Sequence, residues 1–240
     1  MSSAVASSDR LARTLPVVVL LAAVWLARPF EARLAPPSSP DEAGAARGGS
    51  LAALGGFRTV AAGGCWLRAN LAWERRDAAA TALLLELTVA ADDRPLYFWL
   101  NAARMMAYDF PAWQPAALPA AVREKATREQ AGRALAFLER GLPRHPARAE
   151  IYLEMANIRL RALGDREGAA RLFRLAAEQP GAPWHAARIH AELLRELGRP
   201  AEALAWLRRV LPALPANDPA ARRAVVEQRI KELEAIVGAR

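Results

Sequence analysis

From about Gly56 to the carboxyl end, apolar residues recur three and four positions apart, the spacing that lines one face of an α-helix. The pattern predicts helices near 56–75, 78–92, 95–109, 122–142, 147–163, 166–178, 183–197, 200–213 and 219–237. In the last of these Val226, Ile230, Leu233 and Val237 make a single stripe, with Glu227 and Lys231 as an i,i+4 pair on the outer side. Only brief turns separate the helices, so successive helices are expected to pair antiparallel as hairpins.

The amino-terminal pattern is different. Leu15 to Ala27 is an uncharged, almost wholly apolar run, preceded by Arg10 and Arg13 and closed by Arg28 and Pro29. A basic start before a short apolar stretch is the form of an export signal. Trp25 ahead of Ala27, and Phe30 ahead of Ala32, break the small-residue rule for cleavage, so an uncleaved signal anchor is expected. The run reaches only about 20 Å as a helix, against a bilayer core of about 30 Å. Spanning therefore recruits Leu11, Ala12 and Phe30, with Arg13 and Arg28 snorkelling, and makes residues 11–30 the membrane contact. This implies a single-pass protein of a bacterial inner membrane with its helical part on the periplasmic side, although basic residues flank the run almost equally. Residues 31–50 hold Pro36, Pro37 and Pro40 with several Gly and Ser, which is linker chemistry. Every serine lies at or before Ser50. The expected organisation is an anchor over 1–30, a linker over 31–50 and a helical domain over 51–240.

Within the helical part, residues recur at one interval. Gly164 and Gly198, Ala169 and Ala203, Phe173 and Leu207, and Pro146 and Pro180 each stand 34 positions apart. The stretch AEIYLEMANIRLRALGDREGAARLFRLAAEQP, Ala149 to Pro180, places Tyr152, Met155 and Ala156 in a first helix and Gly164-Asp165 in a turn. Ala169, Phe173 and Ala176 follow in a second helix, and Pro180 closes the unit. HAARIHAELLRELGRPAEALAWLRRVLPALP repeats the scheme with Ala191, Gly198, Ala203, Leu207 and Pro215. These units resemble the tetratricopeptide repeat family. Weaker copies pair PLYFWLNAARMMAYDF with GRALAFLERGLPRHP, around an insertion holding Pro111, Trp113, Pro115 and Pro119, and FRTVAAGGCWLRANLAWERR with DAAATALLLELTVAADD. The resemblance covers about residues 56 to 216, with 219–237 as a terminal capping helix. It implies an all-α fold of antiparallel helix hairpins stacked into a right-handed superhelix, with first helices lining a concave face. GGFRTVAAGGCWLRANLAW after an apolar segment also resembles the opening of bacterial membrane-anchored helical-repeat proteins, which supports the anchor without supplying a function.

Composition agrees with helix: alanine and leucine dominate, and with arginine and glutamate they rank high in helix propensity. The formal charge of +8 is carried almost wholly by arginine. Arginines alternate with acids, as in Arg159, Arg161, Asp165, Arg166 and Glu167, which marks solvated helix faces and argues against nucleic acid. With no serine in the helical part, a Ser-His-Asp arrangement is excluded there. His185 and His190 are five apart, not one helix face, and His145 sits in a proline-flanked turn, so no metal set is expected. Cys65 reads as a small residue at a helix contact, and Asp92-Asp93 as a solvated turn. Neither enzyme activity, cofactor nor small-molecule substrate is expected.

The tetratricopeptide resemblance implies instead a protein or peptide partner held in the concave face. Asn70, Asn101, Arg104, Asn157, Arg161, Arg188 and Arg195 fall at or near inward-facing first-helix positions, and Trp113 rides on the proline-rich insertion as a further candidate contact. One version of the family clamps a terminal carboxylate with asparagine and basic residues. Glu150, Glu154 and Glu192 stand where that clamp needs positive or neutral groups, so a mixed polar surface is expected here. The alternative is a structural subunit of an envelope membrane complex with no open groove, which should carry large exposed apolar patches.

Overall fold

The computed structural model describes the backbone from Pro40 to Ala239 and the side chains from Phe57 to Ala239. The chain divides into two units, residues 1–57 and 58–240. The apolar run at 15–27 lies outside the described residues, as does most of the stretch read as a linker. No described helix is long and apolar enough to cross a membrane.

All regular structure among the described residues is helical, so the fold is all-α. The order is α1 (Pro40–Glu74), α2 (Ala78–Ala91), α3 (Leu96–Arg104), α4 (Ala120–Gly141), α5 (Ala149–Ala162), α6 (Arg166–Ala177), α7 (Trp184–Glu196), α8 (Pro200–Val210) and α9 (Arg223–Gly238). Helix α1 starts within the expected linker. Proline suits a first helical position, and the Asp41, Glu42 and alanines that follow favour the first turns.

Turn chemistry accounts for the hairpins. Gly164 and Gly198 adopt φ of 65° and 74°, the left-handed region open to glycine. Each closes its helix with a wide backbone bond, from Asp165 N–H to Arg159 O at 2.9 Å and from Arg199 N–H to Leu194 O at 2.9 Å. The shared interval of 34 thus marks two glycine stops, closed by bonds reaching six and five residues back. Asp165 then caps α6 by accepting from Gly168 N–H at 2.7 Å, whereas α8 begins on Pro200.

Alanines let the helices approach. Ala156, Ala169 and Ala203 are fully buried, and Phe173 and Leu207 fill the space beside them. From α5 to α9 each helix packs on its sequence neighbour, α4 packs on α3 and α5, and α3 touches α5. The buried residues form three successive clusters, centred on Trp99, Phe137 and Leu138, then on Phe173, then on Trp206, Leu207 and Leu233. Gly141 permits the first of these. A Cβ there would lie 2.9 Å from the Trp99 ring, whose indole N–H donates to Asp93 O at 2.9 Å.

Two further boundaries differ from the pattern. Helix α3 runs on through a π-helical turn at Met105–Asp109 into Phe110–Ala112, two to three residues past the expected stop. The wider turn accommodates Pro111, which lacks an N–H and would crowd a regular α-turn. Helix α9 starts four residues late because Arg222 takes a left-handed φ of 46°. Asp218 holds the preceding turn through Ala220 N–H at 2.8 Å and the Trp184 indole at 3.2 Å. On α9, Val226, Ile230 and Leu233 are buried as expected, but Glu227 pairs with Arg223 at 3.0 Å and not with Lys231.

Candidate binding surface

Helices α3, α5 and α7 each carry a polar stripe at spacings of three and four. On α3 it is Tyr97, Asn101, Arg104 and Tyr108; on α5, Glu150, Glu154, Asn157 and Arg161; on α7, His185, Arg188, Glu192 and Arg195. The structure joins the first two stripes. Arg104 Nε donates to Glu154 Oε2 at 2.7 Å, and a terminal guanidinium nitrogen stands 2.7 Å from the same oxygen. Glu154 is 4% exposed, so its charge requires this partner, while half of the Arg104 side chain remains in solvent.

Around that pair lie groups with unused bonding capacity. The Tyr108 hydroxyl is buried and finds no hydrogen-bond partner among the described residues. Burial, and then the Glu154 charge, push its pKa up to about 12. Asn157 is half-buried and Arg161 exposed, and neither side chain makes a hydrogen bond or ion pair among the described residues. Arg104, Asn157 and Arg161 can therefore present two guanidinium groups and an amide to a polar ligand, while the Glu154 carboxylate and the Tyr108 hydroxyl are buried.

The other expected residues are placed differently. Asn70 and Asn101 turn back to donate to the carbonyls four residues earlier, Trp66 O and Tyr97 O, both at 2.8 Å. Trp113 is half-buried against Phe110 and Trp73, with ring centroids 5.1 and 6.3 Å apart, so the insertion folds its indole back onto the helices. Arg195 is held by Glu192, which also takes Arg229 of α9 at 3.3 Å. The Arg195 hydrogen bond holds the Glu192 carboxyl below its usual range. Arg188 donates to Ala221 O at 3.5 Å, and burial, then Arg222, lower its pKa. Helix α9 and the turn before it thus take up part of the polar stripe of α7, while that of α3 and α5 keeps open groups.

A cleft of ≈ 520 Å³ between α6 and α8 has His190 and Trp206 at its base. Its arginines already have acids: Arg171 with Glu167, Arg174 and Arg209 with Glu178, and Arg199 with Glu202. His190 Nδ1–H donates to Ala170 O at 2.8 Å, and burial lowers its pKa. That bond gives the histidine a structural role, and burial favours its neutral form. His145 likewise bonds Asp93 O at 3.1 Å. Among the described residues no three His, Cys, Asp or Glu side chains gather as a metal site would need.

Sequence reasoning missed two features. Tyr108 was legible only as a member of the 97, 101, 104, 108 stripe. Asp92, expected in a solvated turn, is 4% exposed and receives Arg94 Nε at 2.7 Å and the Thr59 hydroxyl at 2.8 Å. The Arg94 bond leads in holding its carboxyl down at about 2. No family model matches this chain, and no curated protein matches it significantly.

Proposed function

We propose that this protein is a membrane-anchored scaffold whose helix hairpins stack as a tetratricopeptide-like right-handed superhelix and hold a partner protein or peptide on the first-helix face. What supports it most is the open polar set of α3 and α5: a buried carboxylate tied to Arg104, with Tyr108, Asn157 and Arg161 still short of partners. The half-buried Asn157 amide and the exposed Arg161 guanidinium, with no partner among the described residues, suit a surface that completes its hydrogen bonds on binding. The two glycine stops and the three successive cores support the stacked array. The anchor remains the sequence expectation for residues 11–30.

The test is a photo-crosslinking amino acid at Asn157 of the full chain in native membranes. A discrete protein adduct is expected, and it should fall at least several-fold on Arg161→Glu, because one guanidinium hydrogen-bonded to a partner contributes about 1.5–3 kcal/mol. Absence of any adduct at Asn157, with adducts from exposed sites on α6 or α8, would move the binding face elsewhere. The structural-subunit alternative predicts a large exposed apolar face, and α1 carries one. The basic residues beside that face suit lipid headgroups better than a protein neighbour.

A further inference from the structure

Helix α1 has two unlike faces. Ala62, Trp66, Ala69 and Trp73, spaced four, three and four, turn inward: both alanines are fully buried and Trp66 packs on Phe98 at 5.4 Å. Opposite them Val60, Gly64, Leu67 and Leu71 follow the same spacing outward. Val60 is 72% exposed, Leu67 67% and Leu71 52%. Arg68 borders this stripe on α1 and Arg75 follows in the turn after Glu74, where Arg76 also lies; Arg58 sits further round the helix, and Glu74 is the acid at its end. Among the described residues none of these four arginines has a carboxylate within ion-pair distance. Elsewhere the arginines of α6, α7 and α8 are nearly all paired, so residues 58–76, with four arginines and one acid, combine excess positive charge with uncovered apolar surface.

We infer that the outer face of α1 lies on an anionic lipid surface. A helix with an apolar stripe and basic borders settles at the headgroup boundary, its apolar side chains in the acyl region and its cations among phosphates. A second copy fits less well. Along the 60, 64, 67, 71 seam the flanking positions offer Gly63 and Asn70 on one side and Arg68 and Arg75 on the other. A parallel pairing therefore gives those arginines no acid, and an antiparallel one sets them against each other. The apolar run at 15–27 brings Arg10, Arg13 and Arg28 with it, so it too lacks the complementary charge. The inference does not require that run to be an anchor.

The experiment uses the full chain with Cys65→Ala and a polarity-sensitive fluorophore on Leu67→Cys, or on Ala205→Cys of α8 as an exposed control. Vesicles are phosphatidylcholine alone or mixed with phosphatidylglycerol, with brominated acyl chains as quenchers. The Leu67 probe should be quenched by bromolipid in the mixed vesicles only, and the Ala205 probe in neither. Replacing Arg58, Arg68, Arg75 and Arg76 with glutamine should cut that quenching at least about tenfold, given several-fold per cation at a charged surface. Unchanged helical circular dichroism excludes unfolding as the cause. A Leu67 probe open to aqueous iodide in both vesicle types overturns the proposal. So does one shielded from iodide and bromolipid alike with Leu67→Cys disulfide dimers forming, which assigns the face to a second copy. Flotation separates the anchor. A true anchor keeps the four-arginine variant on phosphatidylcholine vesicles, whereas without one flotation needs phosphatidylglycerol and those arginines, which still supports the α1 contact. A chain that floats with neither vesicle refutes both.

Discussion

Helix α1 and the α6–α8 region use the same residues to opposite ends. Around α6 and α8 arginine and glutamate alternate so that each charge meets its opposite within the fold, as in Arg174 and Arg209 sharing Glu178 and Arg166 reaching Glu196. Most large apolar side chains there point inward, with Phe173, Leu204 and Trp206 buried and Leu175 about a third exposed. Over residues 58–76 four arginines stand against the single acid Glu74, and Leu67 and Leu71 face out. A face neutralised internally needs only water, while one left with both charge and apolar surface is suited to something beyond the chain. The α3–α5 surface lies between these extremes, with one ion pair made and several polar groups still open.

The strongest way to break this comparison is to truncate one residue on each side. Phe173→Ala should cost about 3–5 kcal/mol in urea unfolding, because it empties a packed site between hairpins. Leu67→Ala should stay within about 0.5 kcal/mol in the same titration, as an exposed side chain does. A comparable loss at Leu67 would mean that the α1 face is covered within the fold. Asp92→Asn addresses how α1 is held, since Thr59 and Arg94 meet at that carboxylate. Held at about 2 in the fold, below the ordinary carboxylate value of 3.8, it gives a stabilisation present above about pH 4 and lost as pH falls toward 2. The variant should be about 2 kcal/mol less stable at pH 7, with the gap closing across that acid window. A gap that persists below pH 2 would exclude ionisation as its source.

Smaller effects sharpen the account of the hairpins. At Gly164 an added Cβ meets nothing within 4 Å, so only the left-handed backbone resists substitution. Gly164→Ala should cost about 1–2 kcal/mol by thermal unfolding, and Gly198→Ala about the same. Unequal costs would show that the two turns are not equivalent stops. Least of all, Arg208→Gln removes an exposed pair with Glu234 and should change stability by about 0–1 kcal/mol, falling further in high salt.

Much of the helical order was legible because it rests on local rules. Apolar spacing located α2 and α5 to α8 to within a few residues, and glycine at 164 and 198 marked stops that left-handed backbone requires. The π-turn before Pro111 and the late start of α9 were not legible, since each depends on how neighbouring segments pack. The site was read in part. Spacing put Arg104, Asn157 and Arg161 on first helices, but could not say that Arg104 would bridge to Glu154 or that Arg188 and Arg195 would be taken up beside the capping helix.

The linear order of residues alone determined that this protein is helical, where most helices stop and which side chains share a face, because helix periodicity and turn stereochemistry act over a few residues. Only the tertiary structure decided which of those faces are satisfied. Burial and ion pairing depend on residues far apart in the chain, such as Thr59 with Asp92, Arg104 with Glu154 and Glu192 with Arg229. The exposed stripe of α1 reads in sequence like any core-facing stripe, and only packing shows that no described helix covers it.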